Sequence, residues 1–189
     1  MTNKKTLFIN ACVRKESRTK RLADRLLEKL GGAVEEVRLA DAAFGPTDEA
    51  YLARRDRLAA EGRFNDPLFD YANQFAAADR IVIAAPYWDL SFPAVLKQYL
   101  EQINAVGVTF VYTPEGVPRG LCRAKELYYV MTAGGGYVPE EFGFGYVKAL
   151  AEGYYGIRDV RLVKAVGLDL DGADPEAILR EAMDAVEAL

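Results

Sequence analysis

The sequence predicts an α/β fold: a three-layer sandwich around a five-stranded parallel sheet of order 2-1-3-4-5. Three observations carry this. Five short apolar runs alternate with segments of helical periodicity, the pattern of βαβ units. Three of the runs are apolar almost throughout, as strands covered on both faces are, while two are laced with charge. The chain has 189 residues, enough to bury a sizeable core, and no repeat or linker divides it. The expectation is therefore one domain over residues 1–189.

Taken in order, "KTLFINACV" (5–13) is the first strand. The helix after it places Leu22, Leu26, Leu27 and Leu30 on one face, with Arg and Lys opposite. "VEEVRLA" (34–40) alternates with Glu36 and Arg38, as an edge strand does. Residues 41–66 form a long connection that carries a charged helical stretch, "DEAYLARRDRLAAEGRF", before the helix leading to the third strand, "RIVIAA" (80–85). "FPAVLKQYLEQI" presents Val95, Leu96, Tyr99, Leu100 and Ile103 on one face, with Pro93 in its first turn. Residues 107–123 read as a small hairpin or an irregular excursion, and loops of this length are often lids or interfaces. "ELYYVMTA" (126–133) is a further central strand, and "VRLVKAV" (160–166), with Arg161 and Lys164, the second edge. The last helix opens with Asp174 as N-cap and Pro175 at its first position. Central strands 1, 3 and 4 with edges 2 and 5, joined by right-handed crossovers, give the flavodoxin-like order.

Composition narrows the function. Apolar runs are short, so no membrane span is expected. "MTNKKTLFIN" starts its apolar run at once and stops it early, against a secretory signal. Cys12 and Cys122 are too few for a disulfide framework and point to a reduced, cytoplasmic setting. A net charge of −4 gives no support to nucleic-acid binding. The absence of histidine removes the usual serine-hydrolase triad and the usual catalytic zinc sites. A metal site would have to be built of carboxylates, and none is expected.

In this architecture ligands bind beyond the carboxyl ends of the strands, where strand order reverses between strands one and three. Three unusual segments end the central strands: "ACVRKESRT" (11–19), "PYWDLSF" (86–92) and "TAGGGY" (132–137). Ser17, Arg18 and Thr19 open a helix and can seat a phosphate, or merely cap the helix. Tyr87 and Trp88 offer a flat aromatic wall, or fill the core or a subunit contact. Gly134, Gly135 and Gly136 allow close approach of backbone to a ligand, although a simple turn also uses glycine. Together they suit a planar cofactor with a phosphate tail.

Across most of its length the chain resembles the FMN-dependent NAD(P)H:quinone oxidoreductases of the azoreductase type. The likeness runs through "ESRTKRLADRLL", "AADRIVIAAPYWDLSFPAVLKQYLEQINAVGVTFVYTPEG", "MTAGGGY" and "FGYVKALAEGYYGI". The resemblance implies that Ser17, Arg18 and Thr19 hold the FMN phosphate and that Pro86, Tyr87, Trp88, Asp89 and Leu90 lie along the isoalloxazine ring. It likewise implies that Thr132, Ala133, Gly134, Gly135 and Gly136 touch the ring's polar edge. NADH or NADPH would give hydride to flavin N5, and a quinone, azo or nitro acceptor would then take two electrons in the same place. The cofactor carries that ping-pong chemistry, so no catalytic side chain is required. A homodimer with active sites at the subunit interface is implied as well. Departures exist. Asp89 stands where many relatives have asparagine, and lowers the flavin potential if it points inward or does nothing if only its N–H is used. Ala11 or Cys12, and Ala133, replace hydroxyl residues. Tyr137 is a substitute donor for a histidine that some relatives place near the substrate.

Two rivals share these residues. A flavodoxin-type FMN electron carrier has the same fold without efficient NAD(P)H turnover. Alternatively, Cys12 to Thr19 satisfy C-x5-R-[ST], which resembles the active loop of low-molecular-weight tyrosine phosphatases. Cys12 would be the nucleophile there, supported by Arg18, although a buried structural cysteine explains Cys12 as well.

Overall fold

The computed structural model describes residues 4–189; residues 1–3, which open the stretch read as lacking a secretory signal, lie outside the described residues. Strands β1 (Lys5–Asn10), β2 (Ala33–Arg38), β3 (Arg80–Ala84), β6 (Glu126–Thr132) and β7 (Asp159–Ala165) form one sheet in the order β2-β1-β3-β6-β7. Every pairing in it is parallel. Two short antiparallel strands, β4 (Phe110–Tyr112) and β5 (Pro118–Gly120), pair with each other as a separate hairpin within the 107–123 excursion. With these set aside, the sheet order is the 2-1-3-4-5 read from the charge pattern. The cause is as expected: β3 is buried at every residue, whereas β2 and most of β7 keep partial exposure.

Because successive side chains of a strand face opposite ways, each central strand feeds two cores. Leu7, Ile9, Ile81, Ile83, Tyr129 and Met131 point to one side. There they meet α3 (Asp70–Ala77), α4 (Ala94–Ile103) and α5 (Phe144–Leu150), whose Phe75, Tyr99 and Val147 are buried. Phe8, Val82, Tyr128 and Val130 point to the other, against Leu22 and Leu26 of α1 (Arg18–Leu30) and Leu179 of α6 (Pro175–Val186). The charged segment forms α2 (Glu49–Ala60), which buries Leu58 and leaves its other faces in solvent.

The local signals work where a side chain supplies the missing partner. Ser17 Oγ accepts from Lys20 N–H to start α1, and Asp174 accepts from the amides of Glu176 and Ala177 to start α6 behind Pro175. Pro93 differs by one position from the expectation: with ψ at 139° it is still extended, and caps α4 from outside the first turn. After α5 the chain makes one π-helical turn, Ala151–Tyr155, and leaves it through Gly156 at φ 76°. Among the described residues no helix is long and apolar enough to cross a membrane.

Candidate active site

Beyond the carboxyl ends of β1, β3 and β6 lies a cleft of about 590 Å³, within the size of small-molecule sites. Ser17, Arg18 and Thr19 line one wall, Pro86, Tyr87 and Trp88 another, and Thr132, Ala133 and Gly134 the floor. All three segments singled out in the sequence thus converge. Asp89, Leu90, Gly135, Gly136 and Tyr137 adjoin it in the chain but do not line it, and Tyr137 is 81% exposed.

The first wall is built by the start of α1. The initial amides of a helix have no carbonyl behind them. Ser17 satisfies that of Lys20 at 3.2 Å, which leaves the N–H groups of Arg18 and Thr19 for a ligand. Thr19 Oγ1 lies 2.6 Å from Thr132 Oγ1, both residues buried, and this pair ties α1 to the end of β6. One of the two hydroxyl protons makes that bond, so one donor remains. Arg14, Glu16 and Arg21 complete the wall. Arg21 is held by both oxygens of Glu176 at 2.7 Å each.

The aromatic wall is a strained turn. Tyr87 N–H donates to Thr132 C=O (3.0 Å) and its hydroxyl to Pro139 C=O (3.0 Å), so the segment is fixed at both ends of the side chain. Burial raises the Tyr87 pKa, with Tyr137 and Glu141 adding to it, so the phenol remains a donor at neutral pH. Trp88 and Ser91 exchange backbone bonds of 3.0 and 2.8 Å around Asp89 at φ 50° and Leu90 at φ 66°. Two successive left-handed residues are the mark of a type I′ turn, where Asn-Gly is usual. Leu90 in that region is strained by roughly 1–2 kcal/mol. It is 45% exposed and therefore gains little from packing. Such strain concentrates at ligand sites. Leu90→Gly is expected to raise the thermal midpoint of the ligand-free protein by roughly 2–4 °C, read by calorimetry; a fall instead would mean that the leucine side chain supports the fold. Asp89 is exposed at the tip and directs no atom into the cleft lining.

On the floor, a Cβ at Gly134 would come 2.3 Å from Asp169 Oδ2, whereas Gly135 has no neighbour within 4 Å. Of the triplet, Gly134 is the one whose missing side chain leaves room for the Asp169 carboxylate as it stands. Asp169 and Leu168, from the loop after β7, also line the cleft. The sequence reading missed both, because "GLDLDG" reads as an ordinary turn and the partner of Asp169 is Arg18, far away in the chain.

Cys12 is 3% exposed and packs with Phe8 and Leu22. Burial pushes its thiol up to about 11, despite a hydrogen bond with Ser17 that acts the other way. A nucleophile needs the thiolate, so the phosphatase-like loop is a sequence coincidence around a core cysteine.

A family profile described as flavodoxin-like fold matches residues 4–189. The FMN-dependent NADH:quinone oxidoreductase of Clostridium perfringens (strain ATCC 13124) is 35% identical over 192 residues, covering 95% of this chain and 94% of that protein. That of Lachnoclostridium phytofermentans is 37% identical over 192 residues, with the same coverage of 95% and 94%. The crystal structure of azoreductase from Bacillus anthracis str. Sterne superposes with a TM-score of 0.79 at 27% identity, over 98% of this chain and 100% of that one. An FMN-dependent NADH-azoreductase from Bacillus anthracis str. Ames Ancestor, solved in complex with FMN, has a TM-score of 0.81 over 98% of this chain and 96% of that one; at 24% identity it speaks to the fold.

Proposed function

The chain belongs to the flavodoxin-like family that contains the FMN-dependent NADH:quinone oxidoreductases and azoreductases, and on that premise we propose that its cleft is a flavin site serving NAD(P)H-dependent reduction of quinone or azo acceptors. The observation that carries this is the meeting of a helix start, an aromatic turn and a glycine floor in one cleft.

The residues present fit FMN. The free amides of Arg18 and Thr19, with the helix dipole behind them, suit a phosphate. Trp88, 37% exposed, and the apolar faces of Pro86 and Tyr87 suit one side of a planar ring. Thr132, Ala133 and Gly134 on the floor suit the ring's polar edge. FMN held there would supply hydride transfer between NADH or NADPH and the acceptor, in ping-pong order.

The chain's own residues position and screen. Thr19 and Thr132 brace the phosphate end, Tyr87 holds the aromatic turn to Pro139, and the buried strand ends beneath keep water out. The Tyr87 proton is committed to a carbonyl, so the site orients its ligands rather than acting as acid or base.

We further read the chain as one domain at work in the reduced cytoplasm as a homodimer. Tyr112, Val117 and Leu121 on the hairpin, and Tyr137 and Phe142 beside the aromatic turn, are exposed apolar groups that a second copy would cover.

The test is the visible spectrum of purified protein reconstituted with FMN and desalted, then mixed with NADH without oxygen. Retained flavin that bleaches at once is the expected result. Flavin retained but not bleached by NADH or NADPH would make the protein an electron carrier, and no retained flavin would overturn the assignment.

A further inference from the structure

We propose that Asp169 is a built-in anion at the start of α1, and that it sets how strongly the cleft prefers a phosphorylated flavin to one without phosphate. The inference rests on the FMN site proposed above and deepens it.

The loop after β7 is laced to the cleft floor by its backbone. Gly167 N–H donates to Gly135 C=O (3.0 Å), Leu168 N–H to Ala133 C=O (3.2 Å) and Asp169 N–H to Gly134 C=O (2.9 Å). Leu168 is 1% exposed and pins the loop beneath. The Asp169 backbone is therefore fixed, while its side chain, 64% exposed, is free to turn. As it stands the carboxylate spans the cleft. One oxygen lies 2.7 Å from Arg18 Nη1, and the other occupies the space that a side chain at Gly134 would need.

Arg18 is the first residue of α1, and its amide and that of Thr19 are the unspent donors of the helix start. An anionic group of the protein thus already serves the arginine that a bound phosphate would recruit. Of the other two cations in the lining, Arg21 is held by both oxygens of Glu176, and the charge of Arg14 is matched by that of Glu16 on the same wall. A phosphate entering here must take Arg18 from Asp169, and it keeps a carboxylate close by after Asp169 turns to solvent. A flavin without the phosphate carries no charge to compete for Arg18 or to be repelled by the carboxylate. Asp169 then narrows the advantage that FMN has over riboflavin.

Asp169→Asn keeps the side-chain size and the backbone bonds and removes the charge. At low ionic strength it is expected to tighten FMN binding about three- to tenfold, the range for one exposed carboxylate acting on a doubly charged phosphate. Riboflavin affinity should stay within about twofold, and the difference should shrink as salt screens the pair. Flavin fluorescence titrations of the cofactor-free proteins with FMN and with riboflavin, at low and physiological salt, read this directly. Asp169→Ser, which removes both charge and reach, is expected to act in the same direction. Equal shifts for both flavins, or weaker FMN binding in both variants, would overturn the proposal and make Asp169 a strap or a direct ligand contact. Binding of neither flavin by the unaltered protein would overturn the FMN assignment itself, and this proposal with it.

Discussion

Gly120→Ala is expected to destabilise the protein by about 3 kcal/mol or more, and to lower its thermal midpoint by roughly 6–12 °C. A Cβ at this position would stand 2.2 Å from Tyr155 C, 2.3 Å from Tyr155 O and 2.4 Å from Gly156 N. These are backbone atoms and cannot yield as a side-chain tip can. The residues behind them are anchored. Tyr155 is 1% exposed, its hydroxyl donates to Asn104 Oδ1 at 2.7 Å, and its ring meets Phe75 edge-on at 4.9 Å. The other escape is to push β5 outward. That breaks the pairing of Gly120 with Phe110 and disturbs the Phe110 ring, which stacks on Tyr154 at 4.5 Å. Gly116→Ala is the control: it has a positive φ of 78° but open space around it, so it should lose only about 1 kcal/mol from backbone strain. A Gly120→Ala midpoint no lower than that of Gly116→Ala would refute the packing described for this corner.

Gly120 also shows where the sequence stops being informative. Its neighbour in space is a π-helical turn, and "FGYVKALAEGYYGI" has no apolar period that separates i+4 from i+5 bonding. Close approach between distant segments leaves no local signal. The sheet order was legible because burial on two faces, as against one, changes which residues a strand tolerates, and β3 and β2 differ in that respect. The site's three walls were legible because unusual residues follow the central strands and the topology gathers those ends. Its fourth contributor, Asp169, was not, since an aspartate in a glycine-flanked turn is what any loop contains. The strain at Leu90 was hidden for a related reason: Asp-Leu carries none of the Asn-Gly chemistry that marks left-handed turns.

Arg80→Leu is expected to lose about 3 kcal/mol at neutral pH, and most of that loss should vanish in acid. Arg80 opens β3 at the end of the sheet away from the cleft, with its side chain 8% exposed. Its Nε donates to Glu126 Oε1 at 2.9 Å. Its Nη1 faces Thr6 Oγ1 at 3.4 Å and the last carbonyls of α1, Leu30 at 3.3 Å and Gly31 at 3.4 Å, where a cation also meets the negative end of the helix. Burial by itself would raise the pKa of Glu126, but hydrogen bonds from Lys4 and Arg80, and their charges, outweigh it and bring the carboxyl down from 4.5 to about 2. A carboxyl with a depressed folded pKa binds fewer protons folded than unfolded, so its contribution is full above the unfolded value of 4.5 and is lost as pH falls toward 2. Without Arg80, burial acts on Glu126 with Lys4 as its remaining ion-pair partner, and the carboxyl titrates nearer to its unfolded value. Urea unfolding of the two proteins from pH 7 to pH 2 should therefore show curves that differ most at neutrality and converge toward pH 2. A constant gap across that range would mean that Arg80 acts through α1 and Thr6 rather than through Glu126. In either case the flavin affinity of the folded variant should be unchanged at pH 7, because the network lies at the opposite ends of the strands that build the cleft.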